Sequence, residues 1–458
     1  MDERAAATAS AGVEHGRRLR MERLIALARN YRGWSVRRMD DALGRESRRA
    51  VPGSGNPKLD LVARLAEALD WDLGEVAQDL WEDPDGGRAA PTDRGATFAE
   101  LDLRAQAEHR AGEAEAMRRT ALAMRRVAAD GHERAVAANR LAGAYDGRGH
   151  FSRVLAAVRE GLAERGVGAD VRLMLRVNLA HANHALWNLD ASRAIASTLL
   201  EERAVREPAN RLQRVAGAFC HAIRGHGHRR ALQDAADCAD SAGFRELARR
   251  AMHDLEHAAA RYDELALAYG DAQYEGLADT ARGGLVEVRV ACGELSEEDA
   301  TAEVIARLER SVAAEEAGLV EAPALREAAG WWALFGANIA LRAAGIRNGG
   351  GSGGARARTS CDEHARTIAI CTNKASEIAD ELDHWPMRER TFALEWARRE
   401  DEARRAHGRS AGWTLDAEDL RGIVGSMGRF PAFRPIGWRI LADAEFVLSG
   451  ERCAPGPC

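Results

Sequence analysis

Long apolar runs are missing from this chain of 458 residues. Its most apolar window, GWWALFGANIALRAAG (330–345), is uncharged only from Gly330 to Leu341, too short to span a bilayer. Residues 1–13 open with Asp2, Glu3 and Arg4, and no bulky apolar block follows, so they do not read as a secretory signal. The expected location is cytoplasmic, with no membrane partner. Cysteine pairing motifs are also missing. The seven cysteines, at 220, 238, 292, 361, 371, 453 and 458, are odd in number and widely spaced, with no C-x-x-C. A disulfide framework is not expected in so long a chain, and CAPGPC (453–458) reads as a frayed tail. No Walker A or H-E-x-x-H fingerprint occurs, and the G-x-S-x-G spellings at 350–354 and 408–412 and the G-x-G-x-x-G spelling at 349–354 follow no predicted strand, as a nucleophile elbow or a Rossmann turn would. The expectation is therefore no enzyme, no cofactor and no metal. Lysine is almost absent, with only Lys58 and Lys374; arginine replaces it throughout, so Arg in place of Lys carries no argument.

The chain does carry charge, and the charge is unevenly placed. The formal net is −6, which does not suit a nucleic-acid binder taken as a whole. Residues 15–58, however, hold eleven Arg and one Lys against four carboxylates, a net of +8, while residues 59–83 hold one Arg against eight carboxylates, a net of −7. Such polarity within one small region can orient it on a polyanion.

Helical patterns run through almost the whole sequence, because Ala and Arg abound and apolar residues recur at three and four. The expected fold class is all-α: a small five-helix bundle followed by a helical-repeat solenoid. The bundle occupies 14–83. Its predicted helices are 16–31, with Leu19, Leu24, Ile25, Leu27 and Ala28 inward; 36–43, capped by Ser35 and closed by Gly44; 46–51; 59–69; and 73–82. Residues 84–97, rich in Gly, Pro and Asp, read as a linker. The repeat region is expected over 98–450. Its clearest unit, 137–164, has Leu141, Ala142 and Tyr145 on one helix, a turn at Gly147–Gly149, then Phe151, Val154, Val158 and Leu162 on the next. Small and aromatic residues placed this way around a Gly turn resemble a tetratricopeptide repeat. Weaker units are read at 173–202, where Leu179-Ala180 repeats Leu141-Ala142 after 38 residues, and at 211–239. A Gly-rich stretch, 347–360, reads as a loop. The segment 428–450, with Pro431 and Pro435 between two helices, fits no repeat.

GWS (33–35), MDDALG (39–44) and NPKLDLVARLAEALDWDLGEV (56–76) together resemble the Cro/repressor (XRE-type) helix-turn-helix family over residues 15–83. The resemblance implies that the helix after Leu43-Gly44 lies in the DNA major groove. By position, Arg45, Glu46, Ser47, Arg48 and Arg49 would contact bases, and Arg32, Ser35, Arg37, Arg38, Asn56 and Lys58 would contact phosphates. Arg suits the guanine O6/N7 edge and Glu can accept from cytosine N4. Three features depart from the family. VPGSG (51–55) ends the recognition helix about one turn early, leaving its first turns to read DNA. Val36 replaces a polar residue at the start of the second helix. Asp40 stands where a small Ala packs, and if buried it must find a cation such as Arg48 or Arg49. The function implied is a transcriptional regulator binding double-stranded DNA as a homodimer, with a peptide or protein ligand in the repeat region. The alternative is an interaction scaffold whose degenerate helix-turn-helix docks protein.

Three other constellations read as packing. His181 and His184 lie three apart, and His221, His226 and His228 follow in HAIRGHGHRR (221–230), where Gly225 and Gly227 suggest a turn; polar contact between helices is expected there. The carboxylates of 297–316 alternate with Arg307 and Arg310 and suit an exposed helix. Trp331, Trp332, Trp385, Trp396, Trp413 and Trp438 cluster late in the chain and are expected in the core, the other use being to line a ligand groove.

Overall fold

The computed structural model describes residues 17–29, 32–45, 57–69, 73–81, 95–234, 241–316, 322–344, 355–405, 413–448 and 451–453. Nearly all of them are helical. None of the described helices is long and apolar enough to cross a membrane. The chain divides into two compact units, Met1–Gly95 and Ala96–Cys458.

In the first unit, α1 (17–29), α2 (Val36–Leu43), α3 (Leu59–Leu69) and α4 (Leu73–Trp81) surround one core. Met21, Leu24, Ile25 and Ala28 form the buried stripe of α1, spaced at three and four as one helix face requires. The expected inward placement of Leu19 and Leu27 is wrong: both are exposed, because they project from the far side of that stripe, and Met21 fills the core instead. Helix α2 is closed at both ends by its own sequence. Ser35 Oγ accepts the backbone N–H of Arg38 at 3.3 Å, and Gly44 sits in the left-handed region at φ +69°, where a side chain is strained. The predicted helix 46–51 lies outside the described residues.

The second unit begins with α5 (Phe98–Arg110), set by a capping box in which Thr97 and Glu100 satisfy each other's orphan backbone donors. There follow α6 (Ala114–Val127), α7 (Gly131–Asp146), α8 (Phe151–Ala163), α9 (Ala169–Ala185), α10 (Leu189–Glu201), the single turn α11 (Arg203–Arg206), α12 (Arg211–Asp234), α13 (Ala242–Tyr269), α14 (Ala272–Ala291), α15 (Glu297–Glu316), α16 (Pro323–Ala343), α17 (Ala355–Glu381) and α18 (Trp385–Arg405). Most helices pack against the next in sequence, α5 on α6 through α9 on α10; α10 then packs on α12 and α14 on α16.

Five of the turns that follow helices share one device. After α5, α7, α9, α14 and α17 a backbone N–H reaches back five residues, as from His150 to Tyr145 O (2.9 Å) and from Asn188 to Asn183 O (2.8 Å). The residue before each donor is left-handed: Gly112, Gly149, Trp187, Gly293 and Asp383. The first three stand 37 and 38 residues apart. Glycine adopts this conformation freely, whereas a tryptophan there carries a cost of about 1–2 kcal/mol.

Several expectations fail here. Residues 211–234 form one unbroken helix, so His226 and His228 do not lie in a turn. Gly225 and Gly227 serve close packing instead: a Cβ on Gly225 would stand 2.9 Å from Leu255 Cγ, and one on Gly227 3.0 Å from Arg193 Cγ. Helix α17 starts at Ala355, within the stretch read as a loop. Helix α15 is not simply an exposed helix. Ala300, Val304 and Leu308 are core, and Arg307, 7% exposed, pairs with Asp279 at 2.8 Å and donates to Leu325 O.

After α18 come β1 (Trp413–Leu415), α19 (Ala417–Arg429), a 3-10 turn (Pro431–Phe433), α20 (Arg434–Asp443), β2 (Ala444–Leu448) and β3 (Glu451–Cys453). Strand β1 pairs parallel with β2, with Trp413 opposite Ala444, and β3 adds antiparallel. This segment returns to the early helices. Trp413, Ile423, Met427, Phe430, Phe433 and Ile440 share one core with Leu141, Tyr145, Phe151 and Val158. The guanidinium of Arg429 donates to Arg148 O at 2.8 Å. The expected core placement holds for Trp332 and Trp413, while Trp438 is 66% exposed.

Candidate nucleic-acid interface

Helix α2 and its two ends carry the described part of the site inferred from the sequence. Arg37 and Arg38 are exposed in its first turn, next to the Ser35 cap. A helix start adds the partial positive charge of its backbone N–H groups, which favours an anion. Arg37 pairs with no described carboxylate, and the Arg38 guanidinium lies over the Trp34 ring at 5.7 Å. Lys58 is exposed just before α3, and its carbonyl accepts from Leu61 and Val62. Val36 is exposed beside these cations.

Two expected contacts are occupied within the unit. Arg32 donates to Ala68 O at 2.8 Å and to Glu67 O at 3.0 Å. It therefore satisfies the last carbonyls of α3, which have no partner within that helix, and its first role is structural. Arg45 is ion-paired with Asp60 near the start of α3. Asp40 is half-buried rather than enclosed, so the cost foreseen for a buried carboxylate does not arise in full. Glu46, Ser47, Arg48, Arg49 and Asn56 lie outside the described residues.

In the second unit two of the histidines read as packing are polar links between helices, while His226 accepts from Arg229 on its own helix and His184 Nδ1 is buried without a hydrogen-bond partner among the described residues. His181 meets Asp146 at 3.0 Å, and His221 meets Asp254 at 2.9 Å. Asp254 also takes a two-point contact from Arg224, both bonds 2.7 Å. Burial, followed by the charge of nearby Arg229 and Arg230, holds His226 well below the usual imidazole range; burial and Arg230 do the same to His184. No group of three or more described His, Cys, Asp or Glu residues is arranged to hold a metal ion.

A second site was not foreseen from the sequence. Trp187, Arg229, Arg230, Trp331, Phe335 and Arg390 line a narrow cleft, partly open to solvent, whose free space of about 10 Å³ has room for about one water molecule. Four parts of the chain converge there: the α9–α10 turn, α12, α16 and α18. The guanidinium carbons of Arg230 and Arg390 lie 4.4 and 4.6 Å from the centre of the Trp187 ring. Arg229 lies over Phe335 and donates to Glu287 at 2.6 Å. Gln233 and Asn338 also donate to Glu287, at 2.8 and 3.2 Å. One signal could have led to this site. Aligning the first two repeats 38 residues apart sets Trp187 against Gly149, a bulky residue where the turn prefers none.

No protein-family model matches the chain, and no curated protein matches it.

Proposed function

We propose that the chain is a sequence-specific DNA-binding transcriptional regulator. In this reading the first unit is an XRE-type helix-turn-helix domain. The second is a tetratricopeptide-like solenoid that senses a peptide or protein and joins two copies. The observation that carries the reading is α2: a short helix capped by Ser35 and Gly44, with exposed Arg37 and Arg38 at its start and Lys58 exposed before α3. Helix–turn–helix pairs α7/α8 and α9/α10, with left-handed turn residues 38 apart, support the repeat reading. A homodimer would set two recognition helices on a two-fold site. No catalytic role is assigned.

The test is fluorescence anisotropy of the full chain on duplex pools across a salt series. Binding should weaken steeply with salt, since each neutralised phosphate adds about −0.9 to the slope of log K against log[salt]. Arg37→Ala should lower the magnitude of that slope by about one while leaving sequence preference intact. Arg48→Ala and Arg49→Ala should relax preference at particular bases. No binding at low salt by the folded full chain rejects the reading.

The scaffold reading is favoured by one observation: Arg32 and Arg45 are both committed to partners within the unit. It predicts that Arg37→Ala and the Arg48/Arg49 variants leave partner capture unchanged.

A further inference from the structure

The cleft beside Trp187 is too small for any molecule of several atoms, yet its polar wall is made of donors. Arg229, Arg230, Arg390, Gln233 and Asn338 supply that wall, and the rest of the lining is aromatic or aliphatic. Among the described residues no carboxylate lines it. A water held there needs acceptors for its two hydrogens, and a guanidinium group is never one. Only the amide oxygens of Gln233 and Asn338 and the aromatic faces could accept. A single-atom anion accepts from every side and donates nothing.

The charge around the cleft favours an anion as well. Arg230 is 7% exposed, its Nη1 donates to His184 O at 2.8 Å, and its guanidinium rests on Trp187. The two carboxylates that bear on it are engaged with other arginines. Glu287 holds Arg229 at 2.6 Å, and Glu389 stands 3.9 Å from Arg390. Arg229 and Arg390 act against Arg230, and burial with their repulsion pushes it down to about 9, still charged at neutral pH. Buried His184 and His226 are held neutral. Three lining arginines therefore face two carboxylates, leaving about one positive charge over. Keeping a buried cation without a counter-charge is expensive.

The backbone keeps these like charges together. Trp187 holds φ +65° at a turn position that is glycine in three of its four counterparts. A non-glycine residue stays in this region when its surroundings over-determine it, and such residues concentrate at ligand sites. Here the strained residue sets its ring against both Arg230 and Arg390. An aromatic face attracts each guanidinium but neutralises neither.

We propose that the cleft binds one halide-type ion, a monovalent anion of a single atom, with Arg230 as its main counter-charge and Arg390 beside it. The surplus of about one charge sets the valence. The free space of about 10 Å³, near the least that holds one water, sets the size. Arginine side chains are long and can yield the small margin by which a halide exceeds water, whereas sulfate and carboxylates have no room. The opening to solvent lets the ion exchange. The site belongs wholly to the second unit and does not depend on the first unit binding DNA.

The test is thermal unfolding of the full-length protein at pH 7 in mixtures of sodium chloride and sodium gluconate at constant ionic strength, with chloride NMR line width as a second readout. The unfolding temperature should rise with chloride and level off, and the broadened chloride line should narrow when bromide competes. Sulfate should neither give a saturating rise nor compete. Arg230→Met should weaken chloride at least tenfold, and in gluconate alone it should unfold at or above the temperature of the parent, because an uncompensated charge is gone. Should that variant not fold, Glu389→Gln, which removes a rival counter-charge from outside the lining, should tighten chloride several-fold. Absence of a saturating chloride effect in the parent overturns the proposal, as does equal competition by sulfate. Undiminished chloride binding by folded Arg230→Met places the ion elsewhere and overturns it too, as does chloride affinity unmoved by Glu389→Gln.

Discussion

Glu287 is buried among three donors in the second unit, and replacing it with Gln should be a costly single-atom change. Its carboxylate and the Arg229 guanidinium are 5% and 6% exposed and 2.6 Å apart. Gln233 and Asn338 donate to the same carboxylate. Glu287→Gln removes the charge and replaces an acceptor with a donor among three donors. Breaking a buried pair from one side costs about 3–5 kcal/mol, chiefly because the remaining charge stays buried. The cost should sit at the upper end, since Arg230 is adjacent and is itself stabilised by Glu287. Removing both partners is different: Arg229→Met with Glu287→Met leaves no orphaned charge and should recover most of the loss, to within about 1–2 kcal/mol of the parent. Urea unfolding followed by far-UV circular dichroism and tryptophan fluorescence measures both, and the three variants complete a double-mutant cycle. A loss below about 1 kcal/mol for the single variant, or a double variant no more stable than Glu287→Gln, would refute the reasoning and mean that the pair is solvated.

Three further outcomes are expected. Burial, then Arg429, holds His150 down to about 4, and burial, then Arg193, does the same to His228; burial and neighbouring arginines also hold His184 and His226 well below the usual imidazole range. Each is neutral when folded and takes up a proton when unfolded below about 6.5. Stability should therefore fall as pH drops from 6.5 towards 4, by at most about 1.4 kcal/mol per pH unit for each proton, less at the partly exposed His150 and His228. His181, raised by Asp146 against its burial, acts in the opposite sense; unfolding that is flat over pH 4–6.5 would contradict the burial of the other four. Arg32→Ala should destabilise the first unit by about 1–2 kcal/mol through two lost hydrogen bonds; under the proposed DNA-binding function it should also weaken binding without changing the salt slope, and a slope change of one would restore Arg32 as a phosphate contact. A Cβ at Gly276 would stand 2.3 Å from Ala324 O, so Gly276→Ala should cost about 1–3 kcal/mol in a thermal melt, and a neutral effect would show that α14 and α16 are not so close.

Local order along much of the chain is legible without the fold. Ser35, Gly44 and the apolar spacing of 36–43 determine α2, because a cap, a left-handed stop and one buried face are properties of a dozen consecutive residues. The α7–α8 hairpin is legible for the same reason: Leu141, Tyr145, Phe151 and Val158 lie close in sequence and form one buried seam. The errors arise where a residue's partner is distant. Gly225 and Gly227 look like a turn until Leu255 and Arg193 press against them. Arg32 and Arg45 look available for phosphate or base until α3 takes them. The cleft of Trp187, Arg230 and Arg390 draws on residues up to 203 positions apart, and only the packing of α9, α12, α16 and α18 places them together. Sequence alone determined α2 with its caps, the α7–α8 hairpin and the basic first half of the first unit, because those depend on neighbours along the chain. Tertiary structure decided which arginines are spent on carbonyls and carboxylates, how residues 413–444 cover the early helices, and where a buried cation is left without a counter-charge, because burial and charge pairing depend on neighbours in space.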